Sequence, residues 1–383
     1  MRRLLTGLLL AAVLVGTATA AQPARVLAVE WEAGGGKLRW VSPTTLRPVG
    51  PAVLNVGGGP ANIVAVSPDR TLAAVGGGVE GRLRFVRLGP LRQEGLLWLR
   101  GRSVLKGIWS SPRRLVVLLG NAPPEVVVVD PSTRKVVRRE QLSGVTMGAV
   151  RAGDRLLTLL TPRGRIGPVR LAVIAGDGSV QTVVVPGITG GAAQPAEPGG
   201  TARFASPGLV AEGSRAVVLG PERLVEIDLA TLGVRGQQLD TRTTSRAAKR
   251  IEGWGRGAVW LRGDTVAYSG WSSDADGKQA TTGVRVVDIK TGATRLLDAA
   301  ATSVTRAGTT FLLHGGGPLR GFALDGTPRF ELLAGVDTGY VQVAGPYAYV
   351  GSGNSTQFAV VDVLAGSVVG SVRADKPTTI FAP

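Results

Sequence analysis

The chain has 383 residues, with 56 Gly, 23 Pro, one His and no Cys, and a formal net charge of +17. The lack of Cys excludes disulfides, thiolate metal sites and lipidation of a cysteine. The basic excess favours anionic partners such as nucleic acid, acidic polysaccharide or lipid phosphate. However, most of the cations are Arg, which a codon bias would produce equally well.

From the N-terminus, Arg2 and Arg3 precede the apolar run Leu4–Gly16 and the small residues Ala18-Thr19-Ala20. This order is that of an export signal. The apolar run is shorter than the roughly 20 residues that a bilayer span needs. The expectation is a signal over 1–20, cleaved after Ala20, and a single secreted or periplasmic domain over 21–383. No later apolar run escapes Gly, Pro or charge for longer than a strand, so neither a transmembrane segment nor a lipid anchor is expected.

Beyond the signal, one unit recurs eight times: a short β-rich run, a tight turn and a second β-rich run. Copies begin at Leu38, Leu83, Val126, Leu171, Leu224, Val284, Gly321 and Ala359. Their spacing, roughly 45 residues, is that of a propeller blade. The reading is an all-β, eight-bladed β-propeller of four-stranded antiparallel blades, with seven blades as the alternative. The first copy lacks an innermost strand. The C-terminal Lys376–Ala382 resembles the start of one at Gly59–Ala65, so the ring is expected to close by pairing the C-terminal strand with N-terminal strands. Asp130, Asp228, Asp288, Asp325 and Asp362 end the third strand of their repeats, where a carboxylate organises the following turn. Spread one per blade, they are too dispersed to form a catalytic or metal site.

The segment Val66-Ser67-Pro68-Asp69-Arg70-Thr71-Leu72 resembles the S-P-D-G turn of YVTN-type and WD40-like propeller repeats, with Arg70 where that family prefers Gly. The resemblance covers the chain after its signal as a fold and is nearly silent on function. Quinoprotein propellers share the turn style, but their Trp-docking pattern does not follow Thr291-Gly292, so quinone binding is not implied.

Chemical motifs are sparse. His314 opens a His-Gly-Gly-Gly string like an esterase oxyanion hole, yet no G-x-S-x-G elbow accompanies it. Asp274-Ala275-Asp276-Gly277 lacks the third oxygen ligand and closing Glu of a calcium loop. No cofactor and no metal are expected.

The resemblance implies that loops joining one blade to the next, and second to third strands within a blade, emerge on one face. The three longest connectors, Pro186–Arg203, Thr241–Arg256 and Trp271–Gly283, are of these kinds. They would gather Arg242, Arg246, Lys249 and Arg250 with Trp254 and Trp271, joined by Arg163 and Arg165. Cations beside a stacking surface suit anionic or sugar ligands; His314 completes the candidates. The function expected is a non-enzymatic ligand- or protein-binding or scaffolding module acting through this loop-rich face; its partner is left open, an envelope protein and an anionic polymer being the candidates. The alternatives are a lactonase- or lyase-type enzyme, or a dedicated binder of nucleic acid or acidic polysaccharide.

Overall fold

The computed structural model describes residues 25–383 apart from 33–34, 58–60, 78–80, 101–102, 121–122, 195–202, 241–252, 275–277, 352–355, 375 and 382–383. The expected signal, together with Arg242, Arg246, Lys249, Arg250 and most of the Asp274–Gly277 turn, therefore lies outside the described residues.

Regular structure among the described residues is entirely β. One repeat shows why. In β4 (Ala61–Val66), β5 (Leu72–Gly77), β6 (Arg82–Arg87) and β7 (Arg92–Trp98), the middle strands are Val-, Ala- and Leu-rich and buried. The outermost, β7, is largely exposed, with Trp98 61% accessible. An inner strand covered on both faces by neighbouring sheets reads as a continuous apolar run, whereas an outer strand carries charge. The same gradient separates β9 (Arg114–Leu119) from β11 (Lys135–Gln141).

The turns are built as the Asp spacing requires. Asp228 Oδ1 accepts from the N–H groups of Ala230 at 2.9 Å and Thr231 at 2.8 Å. Asp288 does the same for Lys290 and Thr291, both at 2.9 Å. These bonds hold the Asp228 carboxyl below the usual carboxylate range. In the Ser67–Leu72 turn, Arg70 sits at φ 54°, in the left-handed region that glycine tolerates best. Asp69 offsets that strain by accepting from Ser67 Oγ at 2.6 Å and Thr71 N at 3.1 Å.

Six four-stranded sheets stand separately, and the remaining strands form one ten-stranded sheet. This corrects the expectation of eight (or seven) independent blades. The ten-stranded sheet joins β12 (Val145–Ala152), β13 (Arg155–Thr161), β14 (Gly167–Ile174) and β15 (Val180–Ala193) to β21 (Gly253–Trp260), β22 (Thr265–Ser273), β24 (Val284–Asp288) and β25 (Thr294–Asp298). The physical cause is β15. It continues over 14 residues, and its end pairs antiparallel with β16 (Arg203–Ser206), which in turn pairs parallel with β21. A short strand, β23 (Gln279–Thr281), adds to the end of β22. Interposed in sequence, β17 (Gly208–Glu212) to β20 (Val234–Gln238) form a separate four-stranded sheet.

At the termini, β1 (Val26–Glu32), β2 (Gly35–Val41) and β3 (Pro48–Gly57) share a sheet with the last strand, β34 (Thr378–Phe381). β34 pairs antiparallel with β1 from Leu27↔Phe381 to Glu30↔Thr378. Apolar clusters fill the spaces between neighbouring sheets; one joins Val26, Ala28 and Val41 to Tyr349, Phe358, Val360 and Ile380.

Candidate functional site

The ends of β15, β16, β21, β22 and β23 form a hydrogen-bonded platform that crosses from one strand set to another. Its register runs from Gly191↔Ala205 through Ala205↔Trp254 and Trp254↔Ser272 to Ser272↔Ala280. Parts of the connectors Pro186–Arg203 and Trp271–Gly283, read from sequence as structureless, are therefore strand. Gly191 makes the crossing feasible. Its φ is 124°, and a side chain there would strike the Arg165 carbonyl. That close approach ties the loop carrying Arg163 and Arg165 to the same platform. Both arginines are exposed and have no carboxylate partner among the described residues.

Trp254 is placed otherwise than its composition suggested. It is 5% exposed and packs in the cluster that includes Val218, Val225 and Ile188, so it offers no stacking surface. The alternation of β21 dictates this, because Trp254, Arg256 and Ala258 share one face of the strand and that face meets the neighbouring sheet. Arg256, read as part of a solvated basic loop, is half-buried. Its Nη1 donates to the Gly255 and Trp271 carbonyls, each at 2.9 Å, and its guanidinium lies 5.8 Å from the Trp254 ring. Burial without a carboxylate pushes its pKa down to about 10. Its Nε and the nearby Tyr268 hydroxyl are buried without a hydrogen-bond partner. Trp271 lies on the opposite face of the strand pair, half-buried over Gly253 and Gly255, whose missing side chains make room for the indole.

The exposed aromatic of the platform is Phe204, 48% accessible on β16 beside Arg203. Its only trace in the sequence is a lone aromatic after a Gly/Ala/Pro-rich stretch, which carries no periodicity.

His314 ends β27 (Thr310–His314) in the interior, 6% exposed, rather than on a ligand-facing surface. Its Nδ1 bonds the Thr338 carbonyl at 3.2 Å, and its Nε2 meets the Thr305 hydroxyl at 3.0 Å. A carbonyl only accepts, so Nδ1 carries the proton and Nε2 accepts from Thr305. Burial pushes the imidazole pKa down and holds it neutral. The Gly residues that follow serve the same joint: Gly315 N donates to Thr338 Oγ1 at 3.0 Å, and that hydroxyl donates to the Gly317 carbonyl at 2.7 Å. The His-Gly-Gly-Gly string is thus a clasp holding the segment before β30 (Tyr340–Ala344). Among the described residues, no three His, Cys, Asp or Glu side chains gather as a metal site would need.

No protein-family model matches the chain, and no curated sequence matches it. Solved structures match in shape. The structure is similar to dihydro-heme d1 dehydrogenase NirN in complex with DHE, with TM-score 0.61 and 11% identity over 92% of this chain and 74% of that one. It is similar to the computationally designed Ika8 protein, with TM-score 0.53 and 11% identity over 83% and 89% of the two chains. It is also similar to the C-terminal WD40 domain of Sif2, with TM-score 0.51 and 13% identity over 81% and 85%. Identities this low carry fold and nothing more, and the shared fold hosts both an enzyme and a WD40 domain. At the level of fold, the chain is a β-propeller of four-stranded antiparallel blades, the architecture of WD40-like repeats.

Proposed function

We propose that this protein is an exported, non-enzymatic propeller that binds a partner through the face bearing the β15–β16–β21–β22–β23 platform. The observation that carries the reading is the platform itself. Four successive strand pairings extend the rigid scaffold into what would otherwise be loops; Phe204 is exposed on it, and the exposed Arg163 and Arg165 lie in the turn whose backbone it touches at Gly191. A binding surface built on a rigid sheet loses little entropy when a partner docks. The finer architecture belongs to the same reading. Six separate four-stranded sheets and the fused ten-stranded sheet make up a ring that closes where β34 meets β1. Export rests on the order of charge, apolar run and small residues over 1–20; a secreted form beginning at Ala21, seen by mass spectrometry, is the expected outcome.

Arg163 and Arg165, lacking carboxylate partners among the described residues, favour an anionic surface on the partner. Heparin serves as the probe. Wild type should bind it with an affinity that falls as salt rises, because counterions are released as charges pair. Replacing Arg163, Arg165 and Phe204 together with Ala should weaken binding at least tenfold and flatten the salt dependence. Unchanged binding by the triple variant would remove the platform from consideration as the contact surface.

A further inference from the structure

A second region, remote in sequence from the platform, carries an independent assignment. Where the first sheet faces the last, a cavity of about 600 Å³ opens between β1, β2 and the loop Thr44–Pro48 on one side and β33 (Ser367–Arg373) with the link to β34 on the other. That volume is in the range that holds small ligands. Among its described lining residues, Arg39, Arg47, Arg373 and Lys376 stand against one carboxylate, Glu30.

Glu30 is already engaged, since Arg39 Nη2 pairs with it. The Nε of the same guanidinium is buried and has no hydrogen-bond partner. Arg47 and Arg373 are exposed and make no ion pair among the described residues. Cations concentrated around a cavity, with a buried donor left over, are complemented by an anion that brings several acceptor oxygens. Thr44, Thr45 and Ser371 add hydroxyls to the same lining, which suits a ligand bearing hydroxyls of its own.

We infer that this seam cavity is a binding site for a small anionic sugar, a phosphate or carboxylate carried on a polyhydroxylated ring. The anion bridges Arg39 and Arg47 of the first sheet and its following loop to Arg373 and Lys376 of the last sheet and its link. Because β1 and β34 meet there by hydrogen bonds alone, occupancy screens like charges across the seam and holds the two ends of the chain together. This inference does not depend on the platform reading.

Thermal unfolding tests it, with glucose 6-phosphate, glucuronate, glucose and inorganic phosphate as probes at matched ionic strength. Ligand that binds only the folded state raises the melting temperature by mass action. A saturable rise of about 2–5 °C is expected for glucose 6-phosphate or glucuronate, whichever anion the site takes, and none for glucose. The Arg47→Gln/Arg373→Gln variant, with far-UV circular dichroism unchanged, should need at least tenfold more ligand for the same rise. The Arg163→Gln/Arg165→Gln variant should respond as wild type does. A rise for glucose equal to that for the anionic sugars overturns the inference. So does a rise for inorganic phosphate as large as for glucose 6-phosphate, no rise with either anionic sugar, or a full response in the Arg47/Arg373 variant.

Discussion

The platform and the seam both join neighbouring sheets, and they do so by opposite means. At the platform, main-chain hydrogen bonds run without interruption from β15 through β16 into β21. At the seam between the first and last sheets, the chain passes from β33 into β34, and side chains make the remaining contacts between the two sheets. The Tyr349 hydroxyl donates to the Pro43 carbonyl at 2.7 Å, and Gln342 Nε2 donates to the Thr378 carbonyl at 3.1 Å while its Oε1 accepts from Ile380 N at 2.6 Å. An apolar cluster around Phe358 and Ile380 does the rest. Backbone pairing demands a fixed separation of about 4.8 Å and leaves no room between strands. Side-chain docking between sheet faces about 10 Å apart leaves room wherever side chains fall short. This fold can therefore admit a small molecule where side chains bridge two sheet faces, not between strands paired through their main chains.

Trp254→Ala should have the largest effect if the platform rests on a packed core as well as on its hydrogen bonds. Emptying so large a buried site costs about 3–5 kcal/mol, read as a lowered denaturation midpoint. A loss below about 1 kcal/mol would mean that main-chain pairing alone holds that side. At the seam, Ile380→Ala should cost about 2–5 kcal/mol, because β34 anchors itself by this one deeply buried aliphatic side chain. If urea unfolding showed no change, β34 would be an ornament on β1 and the contrast between the two joints would fail.

The smallest and most selective effect belongs to a third joint, the His314 clasp. Its folded pKa is lowered, so between the unfolded value near 6.5 and the lower folded value the unfolded chain binds more protons. Stability should therefore be unaffected above pH 6.5 and decline as pH falls below it. His314→Asn should lose that component of the decline, although it will be less stable at pH 7. An unchanged acid limb in the variant would show that other groups set it.

The sequence makes the blades legible because each carries its own local chemistry. Asp228 and Asp288 mark their turns, the Val-rich inner strands mark their burial, and Thr378–Phe381 is recognisable as a strand by its likeness to the segment from Gly59. The fusion of two strand sets is not legible. β16 is four residues long, follows a Gly/Ala/Pro-rich stretch, and pairs through main-chain atoms that every residue possesses. For the same reason Trp254 reads as a loop aromatic. Only the register of β21, fixed by a partner far away in sequence, turns it inward. The seam cavity is equally hidden, since Arg39 and Arg373 are separated by nearly the whole chain and meet only when the first and last sheets face each other.

The parallel pairing of β16 with β21 also bears on how the molecule breathes. Amide protons exchange when the smallest cooperative unit opens, and such units follow shared hydrogen bonds. Strands β12 to β16 and β21 to β25 share one ladder, while β17 to β20, which lies between them in the chain, belongs to another. Deuterium uptake should therefore be correlated between Gly191 and Trp254 across sixty-odd residues of intervening sequence, while the amides of β17 to β20 keep a rhythm of their own. A segment nested in the chain would then open independently of the two that enclose it.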